Sequence, residues 1–367
     1  MLALILHKKI NHCPVKNSTT KNSTKSNLKM MVSFFLFLGL IPTMHSQNYR
    51  TIEAYMDDFA KNELFVKKSL IDYSVTIVES QKYSRTKVTA TRIIEKLENI
   101  NTLLKTTNKG FEGNTVLRDS FIKLNQKTID CLKNGSLVLN DYEYQSTLSL
   151  PEIGQNLTTK ESNLIAYYQE LKKYEQDKRN FALCYKLHLK NNKGKNILEY
   201  NAYQNVLFYK MNVIDEKLTY VINAKDKKGF SDCLNMITFM HGVVMAKTSE
   251  YRSEYKDTSL NDANIEYATF IASQREKLSN LFITYVDEYN TLQALKNNTQ
   301  RETTESIAAY NNIVKSYNTK KNLFYIVFNE MQTTKDKMYD SWLATNSTFL
   351  KNNGQFDSLY QGYANKD

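Results

Sequence analysis

The feature that most constrains how this 367-residue chain can fold is a stretch that occurs twice. Asn62–Val78 reads NELFVKKSLIDYSVTIV and Asn205–Val221 reads NVLFYKMNVIDEKLTYV, so 8 of 17 positions are identical at a constant offset of 143 residues. An internal repeat decides architecture before any single residue does, because each copy must bury the same kind of face. Leu64, Lys68, Ile71, Val75 and Val78 step by 4, 3, 4, 3, and Leu207, Met211, Ile214, Leu218 and Val221 follow the same steps. That spacing stacks side chains on one side of a helix, whereas a strand needs alternation by two.

Both copies continue in the same way. Ile93, Ile94, Leu97, Ile100 and Leu104 form a second amphipathic segment, matched by Met236, Ile237, Met240 and Val244. A loop with Gly110 and Gly113 leads to a third helix near Asn114, where Thr115-Val-Leu-Arg-Asp119 parallels Thr258-Ser-Leu-Asn-Asp262. Ser259 with Asp262 has a capping-box pattern, and the third helix of the first copy is expected to run to about Ser146 with a weak point at Gly135. Pro151 and Gly154 read as a loop, with Thr158 and Glu161 opening the fourth helix as Thr299 and Glu302 open its counterpart. Along that helix Leu164, Tyr167, Leu171, Tyr174, Lys178, Phe181, Tyr185 and His188 keep bundle-seam spacing, and Ile307, Tyr310, Val314, Tyr317, Lys321, Phe324, Phe328 and Met331 reproduce it. The expected fold is all-α: two tandem up-down-up-down four-helix bundles over 47–193 and 194–350, followed by a frayed tail at 351–367.

Residues 1–46 read as an address. Lys25 and Lys29 precede an apolar run from Met30 to Leu40, and Ile41–Ser46 ends in small residues, the order of a secretory signal peptide with cleavage after Ser46. The run is about half the ~20 residues that span a bilayer, so no stable membrane span is expected after cleavage. Met30 or Met31 is an alternative start. Six of the 49 basic residues and none of the 38 acidic ones precede Gln47, which lowers the net charge from +11 to +5 on removal. Spread over the remaining chain, that charge describes a solvated surface rather than a nucleic-acid footprint. Cys131, Cys184 and Cys233 are odd in number and unmatched between the copies, which favours buried thiols over a disulfide framework.

Catalytic, cofactor and metal sites are not expected. After Gln47 only His188 and His241 remain, and neither has the Glu-x-x-His spacing that loads metals into a four-helix bundle. No Gly-x-Ser-x-Gly elbow and no phosphate-cradling glycine loop is present. The repeated polar detail is a charge near each seam: Asp72 and Asp215 beside the first helices, Lys178 and Lys321 on the fourth. First and fourth helices of an up-down bundle are neighbours, so Asp72 is expected to pair with Lys178 and Asp215 with Lys321, unless each lysine lays its stem on the core and reaches water. Met338, Trp342 and Phe349 extend the last apolar stripe beyond the repeat. They are the candidate partner surface, set against the alternative that they pack on their own bundle.

At Phe111-Glu-Gly-Asn-Thr-Val-Leu-Arg-Asp119, and in a weaker form at Tyr255–Asp262, the chain resembles an uncharacterised, leptospiral surface-protein-like family of secreted helical proteins. The second copy lacks the glycine and the arginine. The resemblance implies export and a helical fold over one unit, and it carries no activity. The reading is an exported periplasmic, surface or extracellular binding or scaffold protein, not an enzyme, acting on an unknown protein or cell-envelope partner. The alternatives are a membrane-active helical protein and an enzyme whose site has no sequence pattern.

Overall fold

The chain was examined as a computed structural model, which describes residues 49–80, 83–134, 139, 141–187, 189, 196–252, 255–297 and 303–354. Ten helices lie among them: α1 Ile52–Ser80, α2 Tyr83–Thr107, α3 Val116–Lys133, α4 Tyr142–Thr147, α5 Leu150–Cys184, α6 Ile197–Ala224, α7 Lys227–Arg252, α8 Ser259–Ser273, α9 Arg275–Asn297 and α10 Thr304–Asn353. Among the described residues there is no strand, only an isolated antiparallel bridge between Phe111 and Asn114. The fold is all-α. Residues 1–48, Gly135, most of the Asn191–Asn196 connection, Thr299, Glu302 and residues 355–367 lie outside the described residues, and with them the signal and part of the tail.

Local chemistry explains several boundaries. Gly110 and Gly113 both take φ +82°, and a Cβ at Gly110 would collide with the backbone of Asn114. Thr115 Oγ1 donates to Asp119 Oδ2 at 2.8 Å, and Thr258 Oγ1 donates to Asp262 Oδ2 at the same distance, so the two copies start their third helices alike. The N-cap there is Thr258, one residue before the expected Ser259. The start of α5 also differs from expectation: it begins at Leu150, eight residues before Thr158. Ser149 and Glu152 form the capping box, and Pro151 occupies the first turn, where its missing N–H has no partner to lose.

Burial follows each helix's neighbours rather than the repeat. The helix α6 packs against α7, α8, α4, α5 and α10, and is enclosed around most of its circumference. The helix α1 packs on α2 and on the end of α10, and buries Tyr55, Met56, Phe59, Glu63, Val66 and Tyr73. Leu64 is therefore 48% exposed where its counterpart Leu207 is 4% exposed. Of the expected stripe on α1, Leu64 and Lys68 are exposed and Ile71 is half-buried.

The fourth helices differ as well. Leu164, Tyr167, Leu171, Tyr174, Lys178 and Phe181 are all buried, and Phe181 sits 5.6 Å from Tyr55 of α1 between ring centroids. In α10 the equivalent segment pairs with α9 instead: Phe324 stacks on Tyr285 at 5.5 Å, and Ser316 donates to Glu288 at 2.8 Å. The continuation of α10 is what meets α6. Antiparallel packing of α1 with α5 and of α6 with α10 is thus retained, but by a later stretch of the last helix. The described residues form one compact unit, in which α4 packs on α6 and α10 reaches α1. The boundary expected at 193/194 lies outside the described residues. The helix order is compatible with two tandem four-helix modules.

Candidate functional site

Between α1, α5 and α6 lies a cavity of about 70 Å³. Leu70 and Ile77 of α1, Leu164 and Leu171 of α5, and Ala202 and Val206 of α6 supply its apolar wall. The helices α1 and α5 meet here through long side chains, which leaves the space. Asn201 and Asn205 form the polar part of the lining, with Tyr73, Ser74, Tyr167 and Tyr168. Two of these hydroxyls are committed to backbone, Tyr168 to Leu198 O at 2.9 Å and Ser74 to Leu70 O at 2.9 Å. Among the described residues no acidic, basic or histidine side chain lines the cavity.

Asn201 and Asn205 belong to a ring of three amides. Asn201 Nδ2 donates to Asn346 Oδ1 at 2.5 Å, Asn346 Nδ2 to Asn205 Oδ1 at 2.8 Å, and Asn205 Nδ2 to Asn201 Oδ1 at 3.1 Å. Each amide gives one N–H and accepts one, so each buried polar group is matched and each nitrogen keeps a second N–H. The ring opens a polar seam along α6. Gln204 Nε2 donates to Asn261 Oδ1, Asn264 Nδ2 to Gln204 Oε1 at 2.6 Å, Trp342 Nε1 to Asn264 Oδ1 at 3.1 Å, and Tyr267 to Asn212 Oδ1 at 2.5 Å. Amides and indole N–H groups have no sequence period of their own, so only the helix positions reveal this seam.

The expected charge pairs form with other partners. Lys178 Nζ lies 2.9 Å from Glu63 Oε2 and 3.0 Å from Glu175 Oε1, while Tyr174 donates to the second oxygen of Glu63. Asp72 is exposed and does not take part. Antiparallel packing sets the level: Lys178 is near the end of α5 and so faces the first half of α1, where Glu63 stands, not the later turn that holds Asp72. Burial raises the Glu63 carboxyl, with Lys178 pulling it back, and the net direction is upward. Burial also acts to lower the Lys178 ammonium, but Glu63 and Glu175 outweigh it and hold it above its ordinary value.

Asp215 likewise pairs with Lys335 at 2.5 Å, and Lys335 reaches Glu216 at 2.8 Å, whereas Lys321 is exposed on the part of α10 that faces α9. The later stretch of α10 carries the lysine that α6 meets. The same shift corrects the candidate partner surface. Trp342 stacks on Phe208 of α6 at 3.8 Å with rings 5° apart and is 3% exposed, Phe349 is 1% exposed against Tyr200, and Met338 packs on the core. The apolar extension is consumed in closing the fold.

Among the described residues, His241 and the cysteines stand outside the cavity lining. Among the described residues no group of three or more His, Cys, Asp or Glu could hold a metal. His241 contacts Thr269 at 3.3 Å, and His188 lies outside the described residues. Cys131, Cys184 and Cys233 are free thiols; burial pushes Cys131 up to about 11 and Cys233 up to about 12, and Cys184 is exposed. A second space, of about 20 Å³, lies beside Asp215 and Lys335 at a position unrelated by the repeat to the larger cavity. No helix of the described residues is long and apolar enough to cross a membrane. The chain matches no protein-family model, no curated protein and no solved structure, so the likeness noted at Phe111–Asp119 gains no support and brings no activity with it.

Proposed function

We propose that this chain is an exported helical binding or scaffold protein, built from a duplicated four-helix module, with the α1/α5/α6 cavity as its contact point for a partner. The observation that supports it is the separation of charge from cavity. The buried carboxylates Glu63, Glu199 and Asp215 each face a lysine, at 2.9, 2.8 and 2.5 Å, and none of them lines the cavity. An active site instead turns perturbed acids and bases toward the space where substrate sits. An apolar hollow with a few convergent amides is the general form of a binding site.

Two measurements test this reading. Mass spectrometry of the protein from cell envelope and medium is expected to find Gln47 as the first residue; a retained Met1 or Met30 opposes export. Chemical crosslinking in intact cells is expected to join the wild type to a specific partner and to lose that product in Ala202→Leu, which fills the cavity. An unchanged crosslinking pattern in that variant excludes the cavity as the contact point.

A further inference from the structure

We infer that the α1/α5/α6 cavity accepts one uncharged aliphatic group whose adjoining amide hydrogen-bonds Asn205, the chemistry of a leucine residue within a peptide. This deepens the proposed binding function and rests on it. Size, charge and hydrogen-bond capacity each narrow the ligand. The volume of about 70 Å³ is roughly half that of the ~150 Å³ apolar cavity that takes benzene, which leaves room for about three or four carbons and not for an aromatic ring. The wall at Leu70, Leu164, Leu171 and Val206 matches an aliphatic group. Among the described residues the lining holds no charged side chain, so none of them offsets the desolvation of a carboxylate or ammonium.

Asn205 supplies the polar contact. It gives one N–H to Asn201 and accepts one from Asn346, leaving its second N–H uncommitted, and it is only partly buried, as are Ile77, Ser74 and Ala202 beside it. The cavity therefore meets solvent on the side where an amide donor is available. A peptide carbonyl adjoining the inserted side chain accepts from that N–H. Asn201, at 2% exposure, stands behind it and fixes its orientation through the ring.

The test is titration of the full chain with N-acetyl-L-leucinamide, followed in methyl spectra through Leu70, Leu164 and Leu198. Saturable shifts confined to these methyls are expected, at least tenfold weaker with zwitterionic L-leucine. Ala202→Leu, which adds three carbons to the lining, is expected to abolish the shifts while keeping the melting temperature. Asn205→Ala is expected to weaken N-acetyl-L-leucinamide about tenfold while leaving xenon binding unchanged. No saturable shift, equal affinity for L-leucine, or an undiminished response in Ala202→Leu overturns the inference. Xenon entering a cavity that refuses N-acetyl-L-leucinamide also overturns it, yet leaves the cavity available as a partner contact. One more occupant is decided by the same experiment. Gly354 adjoins Ile71 of α1, and Phe356 and Leu359 follow it in sequence. If only a Phe356→Asp/Leu359→Asp variant takes the probe, the occupant is the protein's own chain and the inference fails.

Discussion

Replacing Lys178 by methionine removes one charge from a site where water cannot replace it. The Lys178 side chain is 6% exposed and that of Glu63 1%, and the ammonium is within 3.0 Å of both Glu63 and Glu175. Breaking a buried pair from one side costs about 3–5 kcal/mol, because the remaining carboxylate is left without compensation. With a urea slope of about 3 kcal/mol/M for a chain of this size, the unfolding midpoint falls by roughly 1–1.7 M. The exposed pair Lys133–Glu98 is the control: Lys133→Met is expected to change stability by no more than about 1 kcal/mol. The pH dependence gives a second reading. Without Lys178 the Glu63 carboxyl binds its proton more tightly folded than unfolded, so the folded state holds more protons. Stability of the variant therefore falls as pH rises above the unfolded carboxylate value of about 4.3, and the deficit shrinks on acidification toward it. In the wild type the Lys178 contribution is present at neutral pH and is lost only as pH rises through its raised value. Replacing both partners, Glu63→Leu with Lys178→Met, is expected to recover much of the loss. A Lys178→Met protein within about 1 kcal/mol of wild type refutes the buried pair.

Further outcomes follow from the same packing. Trp342→Ala is expected to cost about 3–5 kcal/mol by chemical denaturation, and Trp342→Phe, which keeps the stack on Phe208 but loses the bond to Asn264, much less; equal losses contradict the stacking. Asn346→Ala breaks two of the three ring bonds and is expected to cost about 1–3 kcal/mol, with faster amide exchange around Asn201 and Asn205. Of Cys131, Cys184 and Cys233, only Cys184 is expected to react with iodoacetamide at pH 8 in the native protein, because burial keeps the other two protonated; mass spectrometry showing Cys131 or Cys233 modified at the same rate contradicts this. The purified protein is expected not to release dye from liposomes, since no described helix is apolar enough to insert. Rapid leakage favours the membrane-active alternative.

Much of the local structure was legible in the residues. Period and breakers gave helices in the right order, the glycine loop before α3 and the all-α class, since side-chain spacing along a helix is a one-dimensional property. Boundaries failed where two signals competed: Pro151 read as a loop residue, yet a proline in the first turn with Ser149 and Glu152 around it starts a helix. The two charge pairs and the partner surface failed for a different reason. Lys178 and Asp215 were correctly singled out as charges near the seams, and each is buried, but the opposing residue depends on the axial level at which two distant helices meet. Nothing in either segment encodes that level.

The sequence by itself determined that the chain forms amphipathic helices, that its two halves present similar ones in the same order, and that it carries no pattern of known catalysis or metal binding. Only the tertiary structure decided which faces are inside. The same seventeen-residue stretch lies half open in α1 and enclosed in α6, because burial is a property of how many neighbours surround a helix. The longer α10 slides past its counterpart's position, seating Lys335 against Asp215 where the repeat would have placed Lys321. The cavity and its amide ring arise from that arrangement, where side chains from α1, α5, α6 and α10 converge although their positions in the chain are up to 276 residues apart, between Leu70 and Asn346.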